Sequence, residues 1–234
     1  MAVLERFTVD DLVAFSADLR NLGVGASTMT EAAEQIAAYL RDNLLDEAGR
    51  PATIAVQVHK THLLDALPPG LREEAAAVDD TADGQTACLV RLARAQTVEL
   101  PENPGDRVRP LTPRAFEQQP IFVRLLGALG VDERSVLDPG TALAMRMQHR
   151  ELNVYVESDL ASSSLIDDEA RETVRSLGIH AIVALGGILP SGDLFLISLI
   201  TSVPVSDRVA DLLRSLGTAA KVSLIPYTFK AFGA

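Results

Sequence analysis

Cysteine and basic residues are scarce in this chain, and tryptophan is absent. The 234 residues include one cysteine, Cys88, which excludes an internal disulfide and any metal site built from several cysteines. Lysine and arginine number 21 against 32 acidic residues, so the formal net charge is −11. A field of this sign repels phosphate backbones and anionic lipid, and the basic residues are scattered rather than clustered. We therefore expect neither nucleic acid nor a membrane surface as a partner.

Long apolar runs are missing as well. No run approaches the roughly 20 residues that a membrane-spanning helix needs. The opening "MAVLERFTVDDL" has acidic residues where a secretory signal has a basic start and an unbroken apolar run. We expect a cytoplasmic protein. Hydrophobic residues still make up 47% of the chain, which is enough for a sizeable core and excludes a disordered chain.

Amphipathic patterns predict helices near both ends of the chain and between the strands. Leucines and a phenylalanine recur at helical spacing before Gly23, at Leu12, Phe15, Leu19 and Leu22. Thr28 and Glu31 fit a capping box that starts a second helix. Further helices are predicted after Pro68, along the Phe122–Leu129 stripe closed by Gly130, over Asp167–Leu177, and after the capping residue Ser206.

Strand patterns fill most of the remaining segments. The predicted strands are Pro51–His59, Thr86–Ala95, Glu151–Ser158, Ile179–Leu189 and Leu194–Ile200. The last two are apolar on both alternating faces, so both are predicted to lie in the middle of a sheet that is covered on both sides. Arg91 and Arg94 interrupt the second strand and indicate an outer sheet position. The order of the elements predicts an α+β fold with one largely antiparallel sheet.

The stretch "ALGGILPSGDLFLIS" (Ala184–Ser198) raises the question of chemistry. A nucleophile elbow at Ser191 needs glycine two residues before and two after, and a helix next, but a strand follows here. A phosphate-binding loop needs the pattern GxxxxGK[ST], which this stretch lacks. Pro190 and Gly192 suit a tight turn, so we predict a hairpin.

Two glycines precede that turn in the predicted strand. Gly186 and Gly187 indicate either a β-bulge or a place where another group comes close to the backbone. The second alternative points to a ligand cavity.

Other residues with catalytic or metal-binding chemistry have structural interpretations. "HKTH" places His59 and His62 three residues apart at the exit of a strand, with no cysteine or acidic cluster nearby to complete a metal site. Cys88 lies in an apolar strand, and Arg91 should point to the opposite face, so a buried small hydrophobe is predicted. The acidic residues at 167–169 begin a helix, where their charge complements the helix dipole. We predict no catalytic centre and no metal site.

With the hairpin in place, the sequence resembles the GAF-like sensory domains found upstream of bacterial histidine kinases and related signalling proteins. The residues that carry the resemblance are 19–44, 59–75, 122–131, 151–158, 178–213 and 221–229. The most specific of them is "GGILPSGDLF", followed by a Val-Pro pair and a closing helix. The resemblance spans nearly the whole chain and implies one GAF-like domain over residues 1–234, with residues 1–27 as an N-terminal helical element that can serve in dimerisation.

The resemblance implies a fold and a class of function. GAF domains, which are similar to PAS domains, have a central antiparallel sheet with helices on one face and loops or short helices, which form a pocket, on the other. A non-catalytic sensor or protein-interaction module follows, bacterial and homodimeric. Two departures from the family are visible: "LLDALP" follows "HKTH" where an aromatic-rich stretch is expected, and no output module follows the closing helix in the sequence given. We therefore expect action on a separate signalling protein, such as a histidine kinase.

A small ligand of unknown identity is expected in a pocket over the sheet. The Pro-rich segment Pro101–Pro139 can roof such a cavity. The residues predicted to bind the ligand are Asn153, Tyr155, Gly186 and Gly187, because a polar pair opposite a glycine step can fix the orientation of a ligand. No particular cofactor is indicated.

Two other classes of function stay open from the sequence. One is a small redox or hydrolytic enzyme on a GAF-like fold, although relatives that reduce methionine sulfoxide use several cysteines and only Cys88 is available. The other is a ligand-free structural subunit whose cavity is filled by side chains. A four-helix dimer interface is predicted from Leu12, Phe15, Leu212 and Leu216, unless these residues cover the sheet of their own chain.

Overall fold

A computed structural model of the chain describes residues 1–131 and 152–233. Its helices in these ranges are α1 (Val9–Asn21), α2 (Met29–Asn43), α3 (Pro69–Val78), α4 (Pro113–Gln118), α5 (Pro120–Leu129), α6 (Asp168–Ser176) and α7 (Asp207–Leu224). Its strands are β1 (Ala2–Val3), β2 (Leu44–Leu45), β3 (Thr53–Leu63), β4 (Ala87–Gln96), β5 (Val108–Pro110), β6 (Tyr155–Glu157), β7 (Ala181–Ile188) and β8 (Leu194–Thr201). None of these helices is both long enough and apolar enough to cross a membrane.

Helix starts follow the predicted capping chemistry. The Thr28 hydroxyl accepts the backbone N–H of Glu31 at 3.2 Å, and the Glu31 carboxylate accepts the backbone N–H of Ser27 at 2.6 Å. The box therefore closes one residue earlier than predicted. Helix α5 ends at Gly130 in the left-handed conformation, as its sequence indicates.

Six strands form one antiparallel sheet in the order β5-β4-β3-β8-β7-β6. Strands β7 and β8 are both internal and are apolar on both faces, which confirms the prediction that they lie mid-sheet. Short strands β1 and β2 form a separate parallel pair.

Strand β4 does not have the outer position predicted from its arginines. It lies between β3 and β5, and β5 falls inside the Pro-rich segment that begins at Pro101. The charges of Arg91 and Arg94 are tolerated there because both guanidinium groups pair with Glu102, which comes from the loop between the two strands. The prediction was wrong because it considered only the residues of the strand. Glu102, the carboxylate partner of both arginines, lies outside that strand in the sequence.

Helices α2 and α7 lie on one face of the sheet, with α1 packed against α7; we call this the helical face. Its core includes Phe15, Ile36, Phe195 and Leu213, all fully or almost fully buried. The opposite face, here the cavity face, is covered by α4, α5 and α6 with their connecting loops around a smaller core that includes Leu126 and Leu196. The predicted α+β architecture, with helices on one face and short helices and loops on the other, is therefore confirmed.

Helix α7 comes very close to β7 at a glycine. A Cβ atom added to Gly217 would lie 2.9 Å from the carbonyl oxygen of Gly186, closer than side chains normally approach a backbone. The β7–β8 pairing runs without a register shift from Ala181 to Ile188, so no bulge exists there. Of the two alternatives for the glycine pair, the close approach is the observed one, and the approaching group is a helix of the same chain.

The hairpin between β7 and β8 forms as predicted. The backbone N–H of Leu189 donates to the carbonyl of Asp193 at 2.8 Å, and that of Gly192 donates to Leu189 at 2.9 Å. Gly192 has φ +89, the left-handed region in which glycine is unstrained. The Ser191 hydroxyl donates to the carboxylate of Asp193, so it stabilises the turn.

Candidate ligand site

A cavity of about 330 Å³ lies over the cavity face of the sheet. Strands β3, β4 and β8 form its floor, with the side chains of Gln57, His59, Leu89, Arg94 and Ile200. The loops and helices above the sheet form its walls, with Leu100, Pro101, Gly105, Asp106, Arg109, Gln119, Phe122, Thr173, Leu177 and Ile179. Leu89, Phe122, Leu177 and Ile200 are only partly buried, so the cavity presents apolar surface that a ligand can cover. Volumes of this order are typical of small-molecule sites.

Strand alternation decides which residues of β3 reach this cavity. Val56 and Val58 are fully buried in the core of the helical face. Gln57 and His59 alternate with them and therefore point to the cavity face, where both line the cavity. A register shift between β3 and β4 at Val58–His59 sets Gln57 opposite Arg94, which is also in the lining.

The two arginines of the lining are paired differently. Arg94 donates to Glu102 and to the carbonyl of Leu100, both at 3.2 Å, while its Nε is buried with no partner among the described residues. Arg109 has its nearest carboxylate, Asp106, at 4.0 Å, the outer limit of an ion pair. Burial lowers the pKa of Arg109, and the charge of Asp106 opposes that shift. A guanidinium group stays protonated in proteins, so the cavity keeps this positive charge.

His59 adds a neutral ring to the cavity at pH 7. Burial lowers its pKa to about 4, and the charges of Arg91 and Arg109 act in the same direction. A neutral imidazole offers one hydrogen-bond donor and one acceptor. The lining thus combines the positive charge of two arginines, the carboxylate of Asp106, neutral polar groups and an apolar surface.

Asn153 and Tyr155, predicted from the sequence to bind a ligand, lie near β6 and do not line this cavity. Asn153 is exposed, and its backbone N–H donates to the carbonyl of Leu129 at 3.2 Å. Tyr155 is buried in the core beside α5, and its hydroxyl donates to Glu157 at 3.1 Å.

The predicted glycine pair is divided between the two faces of β7. Gly186 pairs with Leu196, and its carbonyl oxygen faces Gly217 of α7. A Cβ added to Gly187 would lie 2.8 Å from the Phe195 ring, in the core of the helical face. Neither glycine lines the cavity, and a ligand-binding role for these four residues stays a prediction.

The sequence interpretation missed Gln57, His59, Arg94 and Arg109. A signal for the first two is present, since Gln57 and His59 are the polar members of an otherwise apolar alternating strand. The sequence pattern at Arg94 predicts an outer strand, whereas in the structure Arg94 belongs to the floor of the cavity. Arg109 lies in a short strand inside a Pro-rich segment, where no local pattern indicates its surroundings. The predicted roof extends to Pro139, which lies outside the described residues, but Pro101 and Phe122 do contribute to the walls.

Cys88 is buried in its strand as predicted, and the two "HKTH" histidines lie on different faces of β3. Cys88 is fully buried, and burial raises the pKa of its thiol to about 12, so it stays protonated and weakly nucleophilic at pH 7. His59 and His62 point to opposite faces of β3 and therefore do not share a ligand. Within residues 1–131 and 152–233, no three His, Cys, Asp or Glu side chains are grouped to hold a metal ion.

No family model and no curated protein matches this chain. Solved structures similar to it include the bacteriophytochrome RpBphP3 from R. palustris, with TM-score 0.47 and 12% identity over 94% of this chain and 37% of that one. The chromophore-binding domain of RpBphP3 has TM-score 0.45 and 10% identity over 94% of this chain and 63% of that one. A phycocyanobilin-bound GAF domain from a cyanobacterial phytochrome has TM-score 0.48 and 11% identity, covering 93% of this chain and 96% of its own.

GAF domains are therefore among the structures similar to this chain. The chain spans about a third of the first RpBphP3 chain and less than two thirds of the second, but nearly all of the isolated GAF domain.

Proposed function

We propose that this protein is a non-catalytic sensor module of GAF-like architecture. It binds a small ligand in the cavity over its sheet and passes the signal to a separate protein. The observation that carries the proposal is the 330 Å³ cavity whose floor is made by three adjacent sheet strands and whose apolar side chains are left partly uncovered. Burying such surface is the main favourable contribution when a small molecule binds.

The proposed signal involves the walls of the cavity. The loop from Leu100 to Asp106 and the end of α6 at Leu177 approach the cavity from different sides. The loop is also held to β4 by the ion pairs of Glu102 with Arg91 and Arg94. A ligand that contacts both draws them together over the rigid floor. A partner protein that recognises their outer surface then distinguishes the bound state from the free state.

A catalytic function has less support in the residues that line the cavity. The hydroxyl of Thr173 donates to the carbonyl of Glu169 at 3.1 Å, so no base activates it. Cys88 belongs to a buried cluster with α3 on another part of the sheet. Ser191 stands in the β7–β8 turn, which does not contribute to this cavity.

We also propose a homodimer, but through different residues from those first predicted. Phe15 and Leu216 are buried in the core of their own chain and are not available to a partner. The outer side of α1 instead presents Val9 and Val13, 61% and 64% exposed and one helical turn apart. Within the predicted element of residues 1–27, these two valines lie next to each other on α1 and form an apolar contact that a second copy can cover.

Native mass spectrometry of the purified protein tests ligand binding without knowledge of the ligand. We expect the wild type to retain a small molecule at one per chain. Leu177→Trp fills the cavity from the end of α6 and should abolish retention, whereas Val222→Trp, on an exposed position of α7, should leave it unchanged. Equal retention by the two variants would contradict the proposal, and a wild type that retains nothing and shows no melting shift with a metabolite panel would favour a ligand-free structural subunit.

A further inference from the structure

The guanidinium group of Arg109 has no close carboxylate partner among the described residues. Arg91, Arg94 and Arg107 each have a carboxylate oxygen within 3.2 Å. Arg109 has none nearer than the 4.0 Å of Asp106, although only 20% of its side chain is exposed. Among the described residues it makes no hydrogen bond through its guanidinium nitrogens, which is unusual for a group that carries five N–H donors.

The surroundings of Arg109 leave room for its guanidinium but supply no close hydrogen-bond acceptor among the described residues. Gly105 has φ +86, and a Cβ there would lie 3.1 Å from Nη2 of Arg109. The absence of a side chain at Gly105 thus leaves room for the guanidinium beside the loop. Burial lowers the pKa of Arg109, and the charge of Asp106 opposes that shift only in part. The Arg109 side chain keeps 20% exposure, so an anion that supplies acceptors can replace its contact with solvent by charge-assisted hydrogen bonds.

We propose that the ligand of this cavity is a small organic carboxylate, bound through its two oxygens to the guanidinium of Arg109. This inference rests on the sensor function proposed above and specifies its ligand class. The planar guanidinium presents two parallel N–H donors that match a carboxylate. The remaining lining suits an apolar body, since Phe122, Leu177 and Ile200 contribute partly exposed carbon surface.

A single positive centre favours a carboxylate over a phosphate. Arg94 is already engaged by Glu102 and the carbonyl of Leu100, and His59 is neutral at pH 7. A phosphate dianion would therefore meet one free guanidinium and leave part of its charge uncompensated in a partly buried site. Gln57 and Gln119 offer neutral hydrogen bonds for polar substituents on the ligand body.

Benzoate, benzamide and phenyl phosphate are suitable probes because they share an apolar ring and differ in charge. Titrations followed by ¹H–¹⁵N NMR on the full chain should show benzoate shifting the Arg109 side-chain Nε–H and the cavity residues. Benzamide and phenyl phosphate should bind more weakly. Arg109→Gln should weaken benzoate about tenfold or more, since hydrogen bonds to charged groups contribute about 1.5–3 kcal/mol, and should bring benzoate and benzamide to similar affinity.

Arg107→Gln is the matched control, because Arg107 is exposed, pairs with Glu74 and lies outside this cavity. It should leave the preference for benzoate unchanged. Benzamide binding as tightly as benzoate, with no effect of Arg109→Gln, would overturn the carboxylate assignment while leaving a ligand-binding cavity in place. Preference for phenyl phosphate would overturn it in favour of a phosphorylated ligand, and no shift of cavity residues by benzoate would also reject it. Retention of a small molecule by Leu177→Trp is measured in a separate experiment. The sensor proposal is therefore tested independently of the carboxylate assignment.

Discussion

The two faces of the sheet carry two cations whose pairing differs, Lys60 on the helical face and Arg109 on the cavity face. On the helical face, Lys60 is 2% exposed and its Nζ lies 2.7 Å from Asp193 of the β7–β8 turn. On the cavity face, Arg109 is left with a carboxylate at 4.0 Å. The first pair is closed and ties the hairpin to the middle of the sheet. The guanidinium of Arg109 has no carboxylate closer than 4.0 Å and lies beside partly exposed apolar side chains. We expect this combination of a ligand site and not of a structural ion pair.

Loss of the Lys60–Asp193 ion pair should have the largest effect on the free energy of unfolding. Asp193→Ala removes the partner of Lys60 and leaves a charge inside the protein, which for a fully buried pair costs about 3–5 kcal/mol. Because 27% of the Asp193 side chain is exposed, we expect a loss of about 2 kcal/mol in the free energy of unfolding, measured by urea denaturation. Adding Lys60→Met should recover part of the loss, and an additive double variant would show that the two residues do not interact.

Gly187 lies on the helical face of β7, so a substitution there tests the core of that face and not the cavity. Gly187→Leu places a side chain against the Phe195 ring, where even a Cβ would lie 2.8 Å away. Overpacking of this kind costs about 1–3 kcal/mol, so stability should fall while any folded protein keeps its affinity for benzoate. Thermal melting and a benzoate titration on the same sample measure both. A loss of affinity without a loss of stability would restore Gly187 to the ligand site.

His59 and His62 should both make the protein less stable in mild acid. Burial is the largest cause that lowers the pKa of each to about 4, well below the ordinary value of 6.5. The unfolded chain therefore binds more protons than the folded one between these values, and stability falls as the pH is lowered from about 6.5 towards 4. Denaturation at several pH values should show a shallower fall for His62→Phe.

The proposed dimer contact should have the smallest effect on stability. Val13→Glu changes an exposed residue of α1, so the free energy of unfolding of the chain should change by less than about 0.5 kcal/mol. The apparent mass in light scattering should nevertheless fall from dimer to monomer. A wild type that is monomeric at micromolar concentration would remove this proposal and leave the ligand site untouched.

The arrangement of the sheet was largely predictable because it depends on local patterns. The doubly apolar segments that became β7 and β8, the Pro190–Gly192 turn and the helix ending at Gly130 are all encoded within a few residues. The cavity depends instead on contacts distant in sequence. The partner of Arg94 comes from a loop, and the isolation of Arg109 is visible only once Asp106 and its neighbours are placed in space. Gly186 showed a close approach, but its sequence did not indicate that the approaching group is Gly217.

A crystal structure of the protein as purified, with its retained molecule, tests the central claim most directly. The account predicts a small molecule over the floor formed by β3, β4 and β8, with an acidic group within hydrogen-bond distance of the Arg109 guanidinium. A cavity closed by Leu177, Phe122 and their neighbours, with Arg109 turned towards solvent or paired to a carboxylate of its own chain, would contradict it.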